Sequence, residues 1–182
     1  AVFETARGGI LREGLAFDRC KVAVVTNIGE GDHLGLNYIT TVEDLAVVKR
    51  VIVQNVAPDG VAVLNAADPV VARMADNCPG SVTFFAMDRY HPLMAAHRAQ
   101  NKRVVFVQDG QIVAAEGPVV HRIPLAEIPI TRGGTIGFQV ENVMAATAAA
   151  WALGIDWEVV RMGLLTFEND ADNAPGRFNV FT

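Results

Sequence analysis

Short apolar runs alternate with stretches of helical period through the first half of the chain, which is the rhythm of an α/β fold. "VFET" and "KVAVVTNI" predict strands, the second apolar on both faces and therefore central. "TTVEDLAVVKRVIVQNVAPDG" predicts a helix with Thr40 or Thr41 as N-cap, Glu43 and Asp44 in its first turn, and Pro58 to Gly60 closing it. "VAVLN" predicts a strand, "DPVVARMADN" a short helix capped by Asp68 with Pro69 at its first position, and "SVTFFAM" another strand. From Arg103 the pattern changes. In "RVVFVQDGQIVAAEG" the Asp109-Gly110 pair between two apolar runs predicts a hairpin, and "VVHRIPLAEIPI" extends that antiparallel part. "GFQVENVMAATAAAWALGI" then predicts a long Ala-rich helix ended by Gly154, and "DWEVVRMGLLTFE" a second helix capped by Asp156. The fold class expected is α/β: a mostly parallel sheet flanked by helices, with an antiparallel hairpin extension.

Composition narrows the partners. With 182 residues, 51% hydrophobic and 19% charged, the chain can bury a full core as one domain. A net charge of -5 and a pI near 5.3 argue against a nucleic-acid surface, since neutralising phosphates takes clustered Lys and Arg. Cys20 and Cys78 lie far apart, with neither a CxxC partner nor zinc-type His spacing, and a reducing cytoplasm fits that usage. No stretch has the length of a charge-free membrane span, so neither nucleic acid nor membrane is an expected partner.

Candidate chemistry begins at "GEGDHLG", directly after the predicted central strand. Loops at the carboxyl ends of parallel strands face the crevice where ligands bind, so Asp32 and His33 there have a raised functional weight. They are either ion ligands or a structural hydrogen-bonded pair. If "VFE" and "KVAVV" are parallel neighbours, Glu4 and His33 emerge on one edge and make oxygen and nitrogen ligands for Mg²⁺ beside a nucleotide phosphate.

"VFETARGGILR", "VVTNIGEGDHLG", "DLAVVKRVIVQN", "LNAADP", "GFQVENVMAA" and "PGRFNVF", in that order, resemble the ATP-dependent Mur ligase and folylpolyglutamate synthase superfamily. The resemblance spans nearly the whole chain and implies the P-loop NTPase-like central domain of such an enzyme. No GxxxxGK[ST] phosphate loop occurs in the 182 residues. In the family that loop lies upstream and a further domain lies downstream of the "PGRF" segment. Residues 1–174 are therefore expected to be the central ATPase domain without its phosphate-loop segment, and 175–182 the linker toward a C-terminal ligase domain. Such a piece alone is expected to be inactive.

The resemblance also implies roles. Glu4 and His33 match the family's magnesium ligands, and Lys49 matches a lysine that several relatives carry as a carbamate; read from the residues alone, Lys49 is a surface lysine beside Arg50. Asn142 matches an asparagine near the adenine, where an amide can donate and accept at once; otherwise it is a cap or an exposed polar position. At Gln139 the chain departs from the family pattern. Arg177 matches the linker arginine, which would contact a phosphate or ribose. Arg7, followed by Gly8 and Gly9, either holds a substrate carboxylate or pairs with Asp18 or Glu30. The implied cofactors are ATP and Mg²⁺. The implied reaction joins an amine to a carboxylate through an acyl phosphate, and the implied substrates are arginine and an aspartate–arginine polymer handled by a homo-oligomeric full-length enzyme. Two other classes stay open at this point. A dinucleotide-binding oxidoreductase is weakened because no GxGxxG follows a strand, and a non-catalytic scaffold is permitted by the missing phosphate loop.

Overall fold

The computed structural model describes residues 1–29, 35 and 38–168. Six strands, β1 (Cys20–Val25), β2 (Val56–Asn65), β3 (Ser81–Asp88), β4 (Val104–Gln108), β5 (Gln111–Glu116) and β6 (Val119–Pro124), form one sheet in chain order. β1 to β4 run parallel, and β4, β5 and β6 are antiparallel neighbours. The connections between parallel strands are α2 (Val42–Gln54), the short α3 (Pro69–Ala72) with the 3₁₀ turn Arg73–Asn77, and α4 (Pro92–Ala99). Successive right-handed crossovers to the next strand put all three on one face. Leu45, Val53, Val71, Met74 and Met94 pack there against Val25, Leu64, Phe84 and Phe106. The other face is covered by α5 (Gly137–Ala152) and α6 (Trp157–Thr166), whose Val140, Val143 and Met144 join Val63, Phe85, Val105 and Ile123 in a second core. The sheet is thus the middle of three layers, as the α/β expectation required.

Local chemistry sets the boundaries. Thr41 caps α2: its hydroxyl accepts from the Asp44 amide at 3.0 Å, and the Asp44 carboxylate accepts from the Thr41 amide at 3.3 Å. This reciprocal box satisfies two amides that a helix start would leave unpaired. Hydrogen bonds from Thr41 and Thr40 hold the Asp44 carboxyl below its ordinary range. In the hairpin, Asp109 and Gly110 both take positive φ, 51° and 71°, as a two-residue turn matching the strand twist demands. His97 of α4 is buried, its Nε2 lies 2.8 Å from the Val82 carbonyl, and burial pushes its pKa down.

Four expectations are corrected. The "KVAVVTNI" strand, expected to be central, is β1 at the edge of the sheet, paired with β2 alone among the described residues. "VFET" is not a strand: α1 (Arg7–Glu13) is preceded by residues 1–6 without strand pairing, and Phe3 stacks on Phe17 at 6.3 Å. The helix over "TTVEDLAVVKRVIVQ" stops at Gln54, well before Pro58, because Val56 is fully buried and already pairs with Cys20 in β2. Gly60 is therefore a strand residue at a tight crossing, where a Cβ on Gly80 would lie 2.3 Å from the Gly60 carbonyl oxygen. Finally, α4 forms over "PLMAAHRA", a segment to which the sequence reading gave no element.

Candidate functional site

β1 ends at Val25 and continues into Thr26 and Asn27 at the carboxyl edge of the parallel sheet. α2 runs back beside it, burying Leu45, Val48 and Val53 against the sheet. That orientation turns Lys49 and Ile52 to the flank of the helix nearest β1, where α1 and the segment before it close over them. The result is a cleft of about 260 Å³ lined by Glu4, Thr5, Thr26, Asn27, Lys49 and Ile52, among others. The structure therefore brings Glu4 and Lys49 to one cleft, although they stand 45 positions apart in the chain. It does so without the parallel strand pair from which the sequence reading argued. Glu4 is exposed and Lys49 half-buried.

The donor set suits a hard cation in part. Carboxylate, hydroxyl and amide oxygens of Glu4, Thr26 and Asn27 are the ligand types Mg²⁺ accepts, usually one or two carboxylates completed by water and substrate phosphates. Among the described residues no group of three or more His, Cys, Asp or Glu lies together as a metal centre. His33 and Arg177 lie outside the described residues.

The other predicted residues fall elsewhere. Arg7 is half-buried and opens α1, so the Arg7-Gly8-Gly9 segment is the first turn of a helix and not a glycine loop approaching a ligand. A Cβ on Gly9 would meet no protein atom within 4 Å, so packing within the chain does not require a glycine there. Asn142 is exposed on α5, in the layer across the sheet from Lys49, and its Nδ2 donates to the Gln139 Oε1 at 3.1 Å. It is not the helix cap, since Ile136 occupies that position. Gln139 itself is buried.

One residue has more weight than the sequence gave it. Asp68 caps α3, its Oδ1 accepting from the Val70 and Val71 amides at 2.9 and 3.1 Å. Its Oδ2 also accepts from the Ile28 amide at 2.8 Å, which ties the loop after β1 to the loop after β2. Asn65, buried at the end of β2, accepts from the Ala67 amide at 2.9 Å and shapes the same turn. Together these hold a second cleft of about 610 Å³ between Ile28, Val42, Glu43, Asp68 and Val70. The signal available in sequence was the polar "NAADP" directly after a strand. Asp68→Ala removes two cap bonds and one charge-assisted bond, so an expected loss of about 2 kcal/mol follows, with Asp68→Asn costing less. Urea unfolding measures the loss, and faster hydrogen exchange at the Ile28 amide locates it.

Comparison with known proteins adds kinship. The Mur ligase middle domain model matches residues 1–150. Over all 182 residues the chain is 47% identical to a cyanophycin synthetase of Synechocystis sp. and 46% identical to one of Geminocystis herdmanii, covering 21% of each. It is 29% identical over 147 residues, 81% of the chain, to a UDP-N-acetylmuramoylalanine–D-glutamate ligase of Desulfitobacterium hafniense, covering 29% of that protein. Among solved structures, MurF from Acinetobacter baumannii superposes with a TM-score of 0.57 at 22% identity, over 89% of this chain and 31% of that one. A pseudomurein peptide ligase type C from Methanothermus fervidus gives 0.51 at 21% identity, over 82% and 34%. At such identities the structural likeness establishes the fold alone. No described helix is long and apolar enough to cross a membrane.

Proposed function

From the premise that this chain belongs to the Mur ligase middle domain family, we propose that it is the ATP-handling part of a carboxylate–amine ligase of the cyanophycin synthetase type. The substrates in this reading are ATP, arginine and the aspartate–arginine polymer cyanophycin, in a cytoplasmic, homo-oligomeric enzyme. The observation that carries the reading is identity of 41–47% to five cyanophycin synthetases along the entire chain. The Glu4–Lys49 cleft at the end of β1 supports it by offering the residue types such a reaction needs.

The chemistry is constrained by the acyl donor. A carboxylate does not exchange its oxygen for an amine unaided. Transfer of the γ-phosphoryl group of ATP to a β-carboxylate oxygen of aspartate gives an acyl phosphate and ADP. The α-amino nitrogen of arginine then attacks the acyl carbon, the C–O bond to phosphate breaks, the nitrogen loses a proton, and amide and inorganic phosphate result. Mg²⁺, when bound, offsets the charge that gathers on the transferring phosphoryl group. Glu4 would hold it, with His33 as the second protein ligand. Lys49 would enter as its carbamate, an anion in place of a cation, and so offer an oxygen ligand from α2 for a second Mg²⁺. Asn142 would face the adenine and Arg177 a phosphate or ribose. Residues 1–174 would form the middle domain and 175–182 the linker that brings the C-terminal domain over the cleft.

The test uses the full-length protein with ATP, Mg²⁺, arginine and an aspartate polymer. Phosphate release that requires both arginine and polymer, with a matching mass increase of the polymer, is expected. Phosphate release that instead follows D-glutamate and a muramoyl peptide precursor would move the protein to the peptidoglycan side of the family. ATP consumption with neither pair would end the ligase reading.

A further inference from the structure

The face of the sheet that carries α2, α3 and α4 has an open end. α4 is the last helix on it, and β5 and β6 continue beyond with no helix above them among the described residues. Between α4 and this end runs a groove of about 400 Å³ lined by Arg89, Tyr90, Ala95, Arg98, Lys102 and Ala115, among others. Residues 89–108 hold four cations and no carboxylate, an unusual run in a chain of net charge -5. Arg103 leaves the groove, because its Nε pairs with Glu116 at 2.9 Å and its guanidinium lies over Trp151 of α5 in the opposite layer. Arg89, Arg98 and Lys102 remain, none paired with a carboxylate among the described residues. Arg122 of β6, opposite Val113, points to the same face. The sequence-level argument that clustered cations are lacking is therefore corrected for this one surface.

We propose that this groove docks an extended acidic peptide, a separate chain carrying carboxylates at intervals. Three features select that ligand. The cations do not converge on one point as a single phosphate would need: α4, of eight residues, separates Arg89 from Lys102 by about 12 Å of helix, a span an extended peptide covers in about four residues. The floor is apolar and narrow, with Ala95, Ala99 and Ala115 giving room for a backbone. The Arg89 guanidinium lies 4.7 Å from the Tyr90 ring centre and that of Arg98 lies 4.9 Å from the centre of the buried Phe106 ring. A nucleobase would therefore find one face of Tyr90 to stack on and no row of aromatic platforms. The stacked guanidiniums are in turn held in place for planar recognition of carboxylates. Arg89 Nε is shut off from solvent with no hydrogen-bond partner among the described residues, so a carboxylate at its outer edge would offset a charge the fold leaves uncompensated. The inference uses none of the Glu4–Lys49 cleft; it rests on the ligase reading only in that the aspartate polymer named there is an acidic peptide of this kind, and the Arg98 and Lys102 variants separate binding in the groove from binding at the reaction site.

The experiment titrates the full-length protein with a fluorescently labelled oligo-aspartate and follows anisotropy at low salt. Arg98→Gln/Lys102→Gln, two exposed positions, is expected to weaken binding at least tenfold. Arg98→Lys/Lys102→Arg, which keeps both charges but loses the stacked guanidinium at position 98, should bind more tightly than the glutamine pair and less tightly than the native protein. A control of equal charge change far from the groove, Lys21→Gln/Arg161→Gln, should alter binding less than twofold. Equal weakening in the control would reduce the effect to net charge and overturn the proposal. Absence of binding to the native protein would overturn it also, as would an oligonucleotide binding as tightly as oligo-aspartate with the same dependence on Arg98 and Lys102.

Discussion

Lys49→Ala is expected to lower ligase turnover of the full-length protein on the order of 100-fold or more, the scale for removing a group that stabilises charge in a reaction site. The same substitution should cost about 1 kcal/mol or less of stability, because Lys49 is half-buried and the core contacts of α2 are made by Leu45, Val48 and Val53. The variant series separates a carbamate from a plain cation. Carbamylation begins with the neutral amine, whose nitrogen bonds to carbon dioxide and then loses a proton, so activity should rise with bicarbonate. A small carboxylic acid added to Lys49→Ala should recover part of the loss by occupying the vacated space. Lys49→Arg should stay inactive, since a guanidinium keeps the positive charge that the carbamate replaces. Full activity in Lys49→Arg would mean that a cation suffices, and the role in holding a second Mg²⁺ would be withdrawn.

That pairing of Glu4 with Lys49 was legible only by likeness of motif, and the reason is physical. Residues 1–6 read as a strand because "VF" is apolar, but apolarity alone does not make a strand: among the described residues β1 pairs only with β2, and Phe3 lies against Phe17 and not along the outer edge of β1. The β-branched run "VIVQNV" fits helix and strand equally in sequence. The switch between Gln54 and Val56 is decided by tertiary burial of Val56 and by Asn55, whose side-chain amide donates to the Val51 carbonyl at 2.8 Å and ends the helix. By contrast the hairpin at Asp109-Gly110 and the caps at Thr41, Asp68 and Asp156 were readable, because each rests on contacts within four residues. The second bond of Asp68, to an amide 40 positions earlier, was not. The basic groove was half legible: the run free of carboxylates is visible in sequence, whereas the exit of Arg103 to the opposite layer is not.

Phe85→Ala should give the opposite signature to Lys49→Ala. Phe85 is fully buried beneath α5 and packed with Val63, Val105 and Met144, so truncation leaves a cavity between sheet and helix. The expected loss is about 3–5 kcal/mol, a large part of the roughly 5–15 kcal/mol that holds such domains folded. Phe85→Leu, which keeps most of the volume, should lose much less. The effect should reach the site only through the fold, because the Phe85 carbonyl accepts from the Ala66 amide at 2.9 Å and so positions the turn carrying Asp68. Activity per folded molecule should therefore remain close to native at low temperature while the urea midpoint falls. A Phe85→Ala protein with a native midpoint would show that α5 does not pack on β3 as described. One with a lowered midpoint and turnover lost even when fully folded would show that the Ala66–Asp68 turn depends on the ring itself and not merely on the strand.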